Sequence, residues 1–297
     1  MTGPHAPRAS IEVISPGLLT TIQDDGRHGY AHLGVPPSGA LDKAAFRLAN
    51  RLVGNDVSAA VLEMTILGCT LRFNQVSTVV LTGAHVQATL NGREEAMNAP
   101  FTVPTGGVLA LGSIRQGART YLAVRGGLDV PVVLGSRSTD TLTGLGPLPV
   151  RAGDALPLGT MVQPWPGVEI AAVSDFDPAL PFRVIPGPRS DWFTPGALAA
   201  LVDQPYLVHP DSNRVALRLS GPLLPRARTG ELASEGILAG AVQVPMSLQP
   251  ILFLNDHPTT GGYPVIAVLH SSDLDRVGQL RPGDTLRFRL HPADIDT

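Results

Sequence analysis

The chain has 297 residues, of which 43% are apolar and 16% charged, with 32 glycines and 28 prolines. Charge well below the roughly 25% of an ordinary soluble domain, combined with turn formers this dense, excludes long helices and coiled coils and points to a β-rich globular fold. The formal net charge of −3, with bases scattered and never in runs, argues against nucleic acid and anionic membrane as partners.

No apolar run approaches the roughly 18 to 20 residues of a membrane span, and the opening MTGPHAPRAS lacks the apolar core of a signal peptide. A cytoplasmic protein is expected, with residues 1–10 disordered. Residues 11–36 read as a short strand followed by a loop dense in turn and polar residues, including Pro16, Gly17, Asp24, Asp25, Gly26 and Gly29. The best helix follows: Ser38 as cap, Leu41, Ala44, Ala45, Leu48 and Leu52 at helical spacing, and Gly54-Asn55 as stop.

From Val61 to Val124 the pattern turns to strands, read as the short runs TILGCTLRF, STVVLTG, HVQATLNG, GVLALGSI and TYLAVRGG, with Asn91-Gly92 a two-residue hairpin signal. Residues 11–156 are thus expected to form a first β lobe, 157–181 a Pro-rich linker or crossing segment, and 182–297 a second β lobe. In the second lobe Thr194 is expected to cap, and Pro195 to open, a short helix over GALAALV. GDAL at 153–156 returns as GDTL at 283–286, and Ala123-Val124 stand before Asp129 as Ala267-Val268 stand before Asp273. Either a duplication into two lobes with a cleft between them or chance recurrence of common turns accounts for this.

Four clusters concentrate polar groups and glycines. In QDDGRHGY, Asp24, Arg27 and Tyr30 offer an acceptor, a guanidinium and a phenol; a surface ion pair closing a turn is the simpler alternative. In GSRSTDT, hydroxyls alternate around Arg137 and include Ser138, a set able to hold an anion; a solvated loop is the alternative. In DSNR, Asp211 and Arg214 either pair across a turn or, with Asn213, face a ligand. The richest cluster runs from Glu235 through Gln243 to Asp256, Thr259, Thr260, Gly261, Gly262 and Tyr263. There the glycines let a ligand approach the backbone, and the threonines add donors; a hairpin turn with an aromatic anchor is the alternative.

Other chemistry has little support. The eight histidines show no HExxH or HxH spacing, there is no GxSxG elbow, and no metal site is expected. The lone cysteine, Cys69, lies in an apolar run and reads as a buried small side chain. Lys43 is the single lysine, so a Walker loop is absent and anions fall mainly to arginine.

Taken in order, PGLLTTIQDDGRHGYAHLGVPPSGALDKAAFRLANRLVGN, YLAVRGGLDVPVVLGSRSTDT, GPRSDWF, DSNRVALRLSGP, SEGILAGAVQVP and DHPTTGGYPVIAVLHSSDLDRVGQLRPGDTLRF resemble the family of 5-oxoprolinase C subunits. That family is also described as KipI antagonist, allophanate hydrolase subunit 2 or biotin-dependent carboxyltransferase-like. The resemblance spans about residues 11 to 290. It implies a mainly β chain of two cyclophilin-like β-barrel domains with a few short helices. It also implies work beside a KipI-like B subunit and a LamB/YcsF-like A subunit, in ATP-dependent opening of 5-oxoproline to glutamate through a phosphorylated amide. ATP with Mg2+ is implied as co-substrate, bound with or by the partners.

Carried over by position, the resemblance implies that Arg27, Arg137 and Arg214 meet carboxylate or phosphoryl charge. It gives oxyanion contacts to the Thr259–Gly262 loop and proton transfer to Glu235 or Asp256. Asp24, Tyr30, Ser138, Asp211, Asn213, Gln243 and Tyr263 join them as binding residues. Three departures stand out: Pro258 occupies a position where the family carries an amide side chain, Val215-Ala216-Leu217 follow Arg214 in place of the usual glycine-containing run, and a glycine expected before the PI strand is missing in MSLQPILF. Two further readings share the family: the carboxyltransferase-like part of a urea carboxylase or allophanate hydrolase system, with biotin on another protein, and a non-catalytic binder of a KipI-like partner.

Overall fold

The structure, a computed structural model, describes residues 9–173, 176–230 and 232–291. Residues 1–8 of the segment expected to be disordered lie outside that range, and Ser10 already opens the first strand, Ser10–Ser15. The described chain sorts into two units, one of 9–27, 42–140 and 144–173, the other of 28–41, 141–143 and 176–291. Two short pieces of the first half of the sequence therefore belong to the second unit.

In the first unit a nine-stranded sheet is built around two long partners, Ser77–Leu90 and Val108–Val124. The sequence reading divides each of these into two short runs. Each is instead one strand bent by bulges, with register shifts between Gly83 and Ala88. Gly83 makes the bend possible: it has φ of +86°, and a Cβ there would lie 2.6 Å from the Arg119 carbonyl oxygen. The expected Asn91-Gly92 turn joins Leu90 to Arg93, with φ of +51° and +83°, both positive as a type I′ turn requires. Inward alternation from these strands makes a core of Ile11, Ile22, Leu62, Phe73, Leu81, Leu122 and neighbours. Cys69 lies within that core, fully buried, and burial pushes its thiol up to about 12, so it packs as a small apolar group.

Helix α1, Lys43–Leu52, lies against the two long strands, with the Thr82 hydroxyl donating to the Ala45 carbonyl at 2.8 Å. Its cap is Asp42, whose carboxylate accepts from the Ala45 N–H at 2.9 Å, and not Ser38. The buried stripe is Ala45, Phe46, Ala49, Asn50 and Leu52, while Ala44 of the expected stripe faces solvent. Asn55 serves as the stop: its side chain bonds Asn50 and the Val124 carbonyl, and its oxygen accepts from the Gly126 N–H. Beyond Pro157 the segment through 173 forms no strand. It is tied to the first unit by the Gln163 N–H to the Gly54 carbonyl, the Ala171 N–H to the Asn98 carbonyl, and Arg125 stacked on Trp165.

The second unit carries an eight-stranded sheet with Thr285–Leu286 at one edge and Phe288–Leu290 at the other. One residue separates these two edge strands in sequence, so the sheet curls until its edges nearly meet, which leaves little unpaired edge. Phe182, Val184, Tyr206, Leu252, Ile266, Phe288 and Leu41 are among the residues that fill it. Helix α2, Ala197–Asp203, is capped at Gly196 with no side-chain bond. The expected cap, Thr194, contributes only its carbonyl, to the Ala197 N–H, and Pro195 precedes the helix. A third helix, α3, spans Leu274–Val277. No described helix is long and apolar enough to cross a membrane.

The repeated turns match in detail. Arg151 N–H donates to Asp154 Oδ2, Asp154 N–H returns to the Arg151 carbonyl, and Gly153 N–H donates to the Val13 carbonyl. Arg281, Asp284, Gly283 and Val208 repeat all three bonds. The recurrence seen in the sequence is thus a recurrence of local structure at these turns.

Candidate functional site

In the first unit, the loop of 133–140 is laced to the strand Leu19–Gln23 and the residues after it. Asp24 accepts from the hydroxyls of Ser136 at 2.6 Å and Ser138 at 2.5 Å, and from the backbone N–H groups of Arg137 at 2.5 Å and Gly26 at 2.9 Å. Arg27 donates through Nε to the Val133 carbonyl and through Nη2 to the Ser138 carbonyl. Gly146 must be glycine here, with φ of +79° and the Ser138 carbonyl standing where a Cβ would collide with it. The first two sequence clusters therefore meet across more than a hundred residues. The sequence reading gives Arg27 to substrate charge, but the residue is 1% exposed and its Nε and Nη2 are held by loop carbonyls. Arg137 is more open, yet bonds the Val130 carbonyl and Asp129 at 2.8 and 2.9 Å. Tyr30 belongs to the second unit and precedes a 3-10 turn, Ala31–Leu33.

In the second unit, Asp256 is fully buried and Arg214 is 1% exposed. Arg214 grips the carboxylate from both sides, Nε to Oδ2 at 3.1 Å and Nη2 to Oδ1 at 3.2 Å. The Ser38 hydroxyl donates to Oδ1 at 2.8 Å, and Thr141 donates to Oδ2 through its N–H at 3.0 Å and its hydroxyl at 2.7 Å. The same stitching holds segment 38–40: Arg214 Nη2 donates to the Gly39 carbonyl and Asn255 Nδ2 to the Ala40 carbonyl. This explains the left-handed Ser38, φ +53°, a conformation its bond to Asp256 secures. Burial pushes the Asp256 carboxyl up, but the Arg214 charge and the bonds from Arg214 and Thr141 outweigh it and hold it below the ordinary carboxylate range.

Asp256 and Arg214 were expected at the substrate, with Asp256 a candidate for proton transfer. The structure corrects both: an ionised carboxylate with its lone pairs taken and no exposed surface has no route to a reacting atom, and it acts as a positioning group. Nor do Asp211 and Arg214 pair across their turn. Asp211 is 74% exposed beside His209, and Asn213 turns the chain by accepting from the Val215 and Ala216 N–H groups.

The accessible part of this unit lies on a small ribbon in which Glu235–Gly236 pairs with Thr260–Gly261. Glu235 receives both Nε and Nη2 of Arg189, and both side chains keep about a third of their surface exposed. Hydrogen bonds from Arg189, with its charge, keep the Glu235 carboxyl below its ordinary value. Gln243 is buried and holds the loop by donating to the Tyr263 carbonyl at 2.8 Å. Thr260 and Tyr263 are open to solvent, and among the described residues their hydroxyls have no protein partner, nor has that of Thr259. The glycines serve packing more than ligand approach: a Cβ on Gly261 would lie 2.6 Å from Ile237 Cδ1, and one on Gly262 would lie 3.1 Å from the Leu232 carbonyl oxygen. His257 is buried beside this loop, its Nδ1 at 2.8 Å from the Pro258 carbonyl, and burial lowers its pKa, so it stays neutral near pH 7.

Arg189, Ser38, Thr141, Asn255 and Ser136 escaped the sequence reading. For Arg189 a signal existed, since it is the base in GPRSDWF; for Ser38 and Thr141, separated from Asp256 by 218 and 115 residues, none did.

Residues 33–290 match the family model for the carboxyltransferase domain, subdomain A and B. The chain belongs to this family. It is 39% identical over 281 residues to the C subunit of 5-oxoprolinase from Escherichia coli K12, covering 94% of this chain and 90% of that one. It is 37% identical to urea amidolyase of Lachancea kluyveri, covering 94% of this chain but 17% of that longer protein. Among solved structures it superposes on TTHA0988 with a TM-score of 0.87 at 36% identity, covering 96% of this chain and 56% of that one. The two-barrel architecture implied by the sequence resemblance is borne out.

Proposed function

We propose that this chain is the C subunit of a cytoplasmic, ATP-dependent 5-oxoprolinase, active with a KipI-like B subunit and a LamB/YcsF-like A subunit in opening 5-oxoproline to glutamate. The observation that carries this reading is the 39% identity with the E. coli 5-oxoprolinase C subunit over 90% of its length. The ribbon supplies matching chemistry. 5-Oxoproline carries a carboxylate and a ring amide, so it requires a cation, an acceptor for the ring N–H and donors for the oxygen on which charge develops. Arg189 is the accessible cation, Glu235 the ionised acceptor, and the hydroxyls of Thr259, Thr260 and Tyr263 the donors. Asp256 and Arg214 act one layer below, fixing the strand end that delivers this loop.

The ribbon does not fit a hard cation. Among the described residues its one carboxylate is already engaged by a guanidinium, whereas Mg2+ is held by carboxylates together with phosphates and water. In this reading ATP and its Mg2+ are bound with or by the partner subunits.

The urea amidolyase relatives favour one second reading, a carboxyltransferase step with biotin carried on another protein. One reconstitution separates them. Mixed with its A and B partners, the chain is expected to release glutamate and ADP from 5-oxoproline. Glu235→Gln is expected to lower kcat by about 10²-fold or more while the complex still assembles. An inert wild-type mixture that instead accepts carboxyl groups from a carboxybiotin carrier would overturn the lactam reading, and full activity in Glu235→Gln would overturn the role of the ribbon.

A further inference from the structure

The geometry points to an anion site for a phosphoryl group in the cavity beside the parallel strand pair Phe182–Pro186 and Phe288–Leu290. This cavity, of about 310 Å³, is lined by Arg183, Arg276, Arg289, Ser272 and Asp273 among others, and it shares no residue with the Arg189–Glu235 ribbon.

Charge is the first argument. The parallel register sets Arg183 directly opposite Arg289, so the two guanidinium-bearing side chains leave the same face of the sheet as neighbours. Like charges directly opposed on a ladder are destabilising unless a counter-charge lies between them. A third cation adds its charge: Arg276 stacks over the Phe182 ring at 4.5 Å, with Nη2 donating to the Leu180 and Asp177 carbonyls at 2.8 and 3.3 Å and Nη1 to the Pro181 carbonyl at 3.5 Å. Among the described residues one lining acid stands against these three, Asp273, which is 2% exposed. It receives the Arg183 N–H at 2.7 Å, Nε at 3.0 Å and Nη2 at 2.7 Å, and lies 3.5 Å from Arg276 Nη1. One carboxylate thus anchors two guanidiniums, and the described lining carries a surplus of two positive charges.

Preorganisation is the second. Ser272 Oγ accepts from Arg183 Nη2 and is 2.8 Å from His270 Nδ1, so Arg183 is held by two neighbours at once. Arg289 is different. It is exposed, and among the described residues its side chain makes no hydrogen bond or ion pair, which leaves all five of its N–H donors available at the mouth. Two fixed cations, their bonds already made to the protein, supply positive charge from a strand and a helix, and one uncommitted fork supplies the donors, a combination that suits a doubly charged tetrahedral anion. A planar carboxylate fills one fork only.

The test uses the whole chain and follows thermal unfolding at constant ionic strength with inorganic phosphate, glycerol phosphate, malonate and chloride. Inorganic phosphate or glycerol phosphate is expected to raise Tm saturably where chloride does not, since a ligand held only by the folded chain stabilises it. A larger response to glycerol phosphate identifies a phosphate monoester as the source, and an equal or larger response to inorganic phosphate identifies the free ion. Arg289→Ala is expected to weaken the response about tenfold, equivalent to about 1.4 kcal/mol, without lowering Tm in chloride. Arg72→Ala, at an exposed pair with Glu12 elsewhere, is expected to leave it unchanged. Absence of a phosphate response beyond chloride, an undiminished response in Arg289→Ala, an equal loss in Arg72→Ala, or a stronger response to malonate would each overturn the proposal.

Discussion

Asp24 and Asp256 are both carboxylates withdrawn from solvent, and both tie together stretches of chain more than a hundred residues apart, yet they are satisfied differently. At Asp24 the donors among the described residues are two hydroxyls and two backbone N–H groups, all neutral. At Asp256 a buried guanidinium supplies two of the five bonds. A neutral cradle that loses its acceptor leaves polar groups able to rotate or recruit water. A buried cation that loses its partner has no such recourse, because the cost of desolvating the charge remains. Similar burial therefore conceals unequal vulnerability.

The largest expected effect follows directly. Asp256→Ala strands Arg214 at 1% exposure and is expected to lower unfolding free energy by about 3–5 kcal/mol, read by denaturant unfolding of the full chain. The pair also sets an acid limit. The folded Asp256 carboxyl lies below its unfolded value, so its contribution is complete above the ordinary carboxylate pKa of about 3.9 and is lost as pH falls through the lowered folded value. The stability gap between wild type and Asp256→Asn is thus expected to be constant at mildly acid and neutral pH and to close in strong acid. A gap that widens on acidification would contradict the ionised assignment.

The neutral cradle is expected to be less sensitive. Asp24→Ala removes the acceptor for Ser136, Ser138, Arg137 and Gly26, at a cost of about 1–3 kcal/mol, while Arg27 still ties the loop through the Val133 and Ser138 carbonyls. Measured beside Asp256→Ala, an equal or larger loss would erase the distinction between charged and neutral clasps.

What could be read in the sequence divides along the range of the interactions. Helix α1, the Asn91-Gly92 turn and the burial of Cys69 depend on neighbours within a few residues, and each is present as expected. Ser38 shows why the rest was hidden. Its position before an apolar stripe is what an N-cap looks like, but Asp42 lies closer to the first turn, and Ser38 is recruited by a carboxylate 218 residues away. Likewise STVVLTG and HVQATLNG read as two strands because Gly83 is a breaker in local terms, whereas the Arg119 backbone across the ladder makes it a bulge within one strand. The six-motif resemblance located Asp256, Arg214 and Glu235 together, yet residue type alone could not say that two are sealed and the third is open. That distinction is set by what packs above them.

The smallest effect is the sharpest check on the comparison. Ser38 and Ser136 each donate one hydroxyl hydrogen bond to a buried aspartate, at 2.8 and 2.6 Å. If each serine counted only through the bond its hydroxyl donates, Ser38→Ala and Ser136→Ala would cost about the same, on the order of 1 kcal/mol. Ser38, however, also holds a left-handed backbone with φ of +53°, a conformation alanine has no side-chain bond to secure. Ser38→Ala is therefore expected to be the more damaging of the two in denaturant unfolding, and Ser38→Gly, which relieves the backbone but not the lost bond, should recover part of the difference. Equal losses for the two alanine variants, with no recovery by glycine, would mean that the hydroxyl bond alone accounts for Ser38.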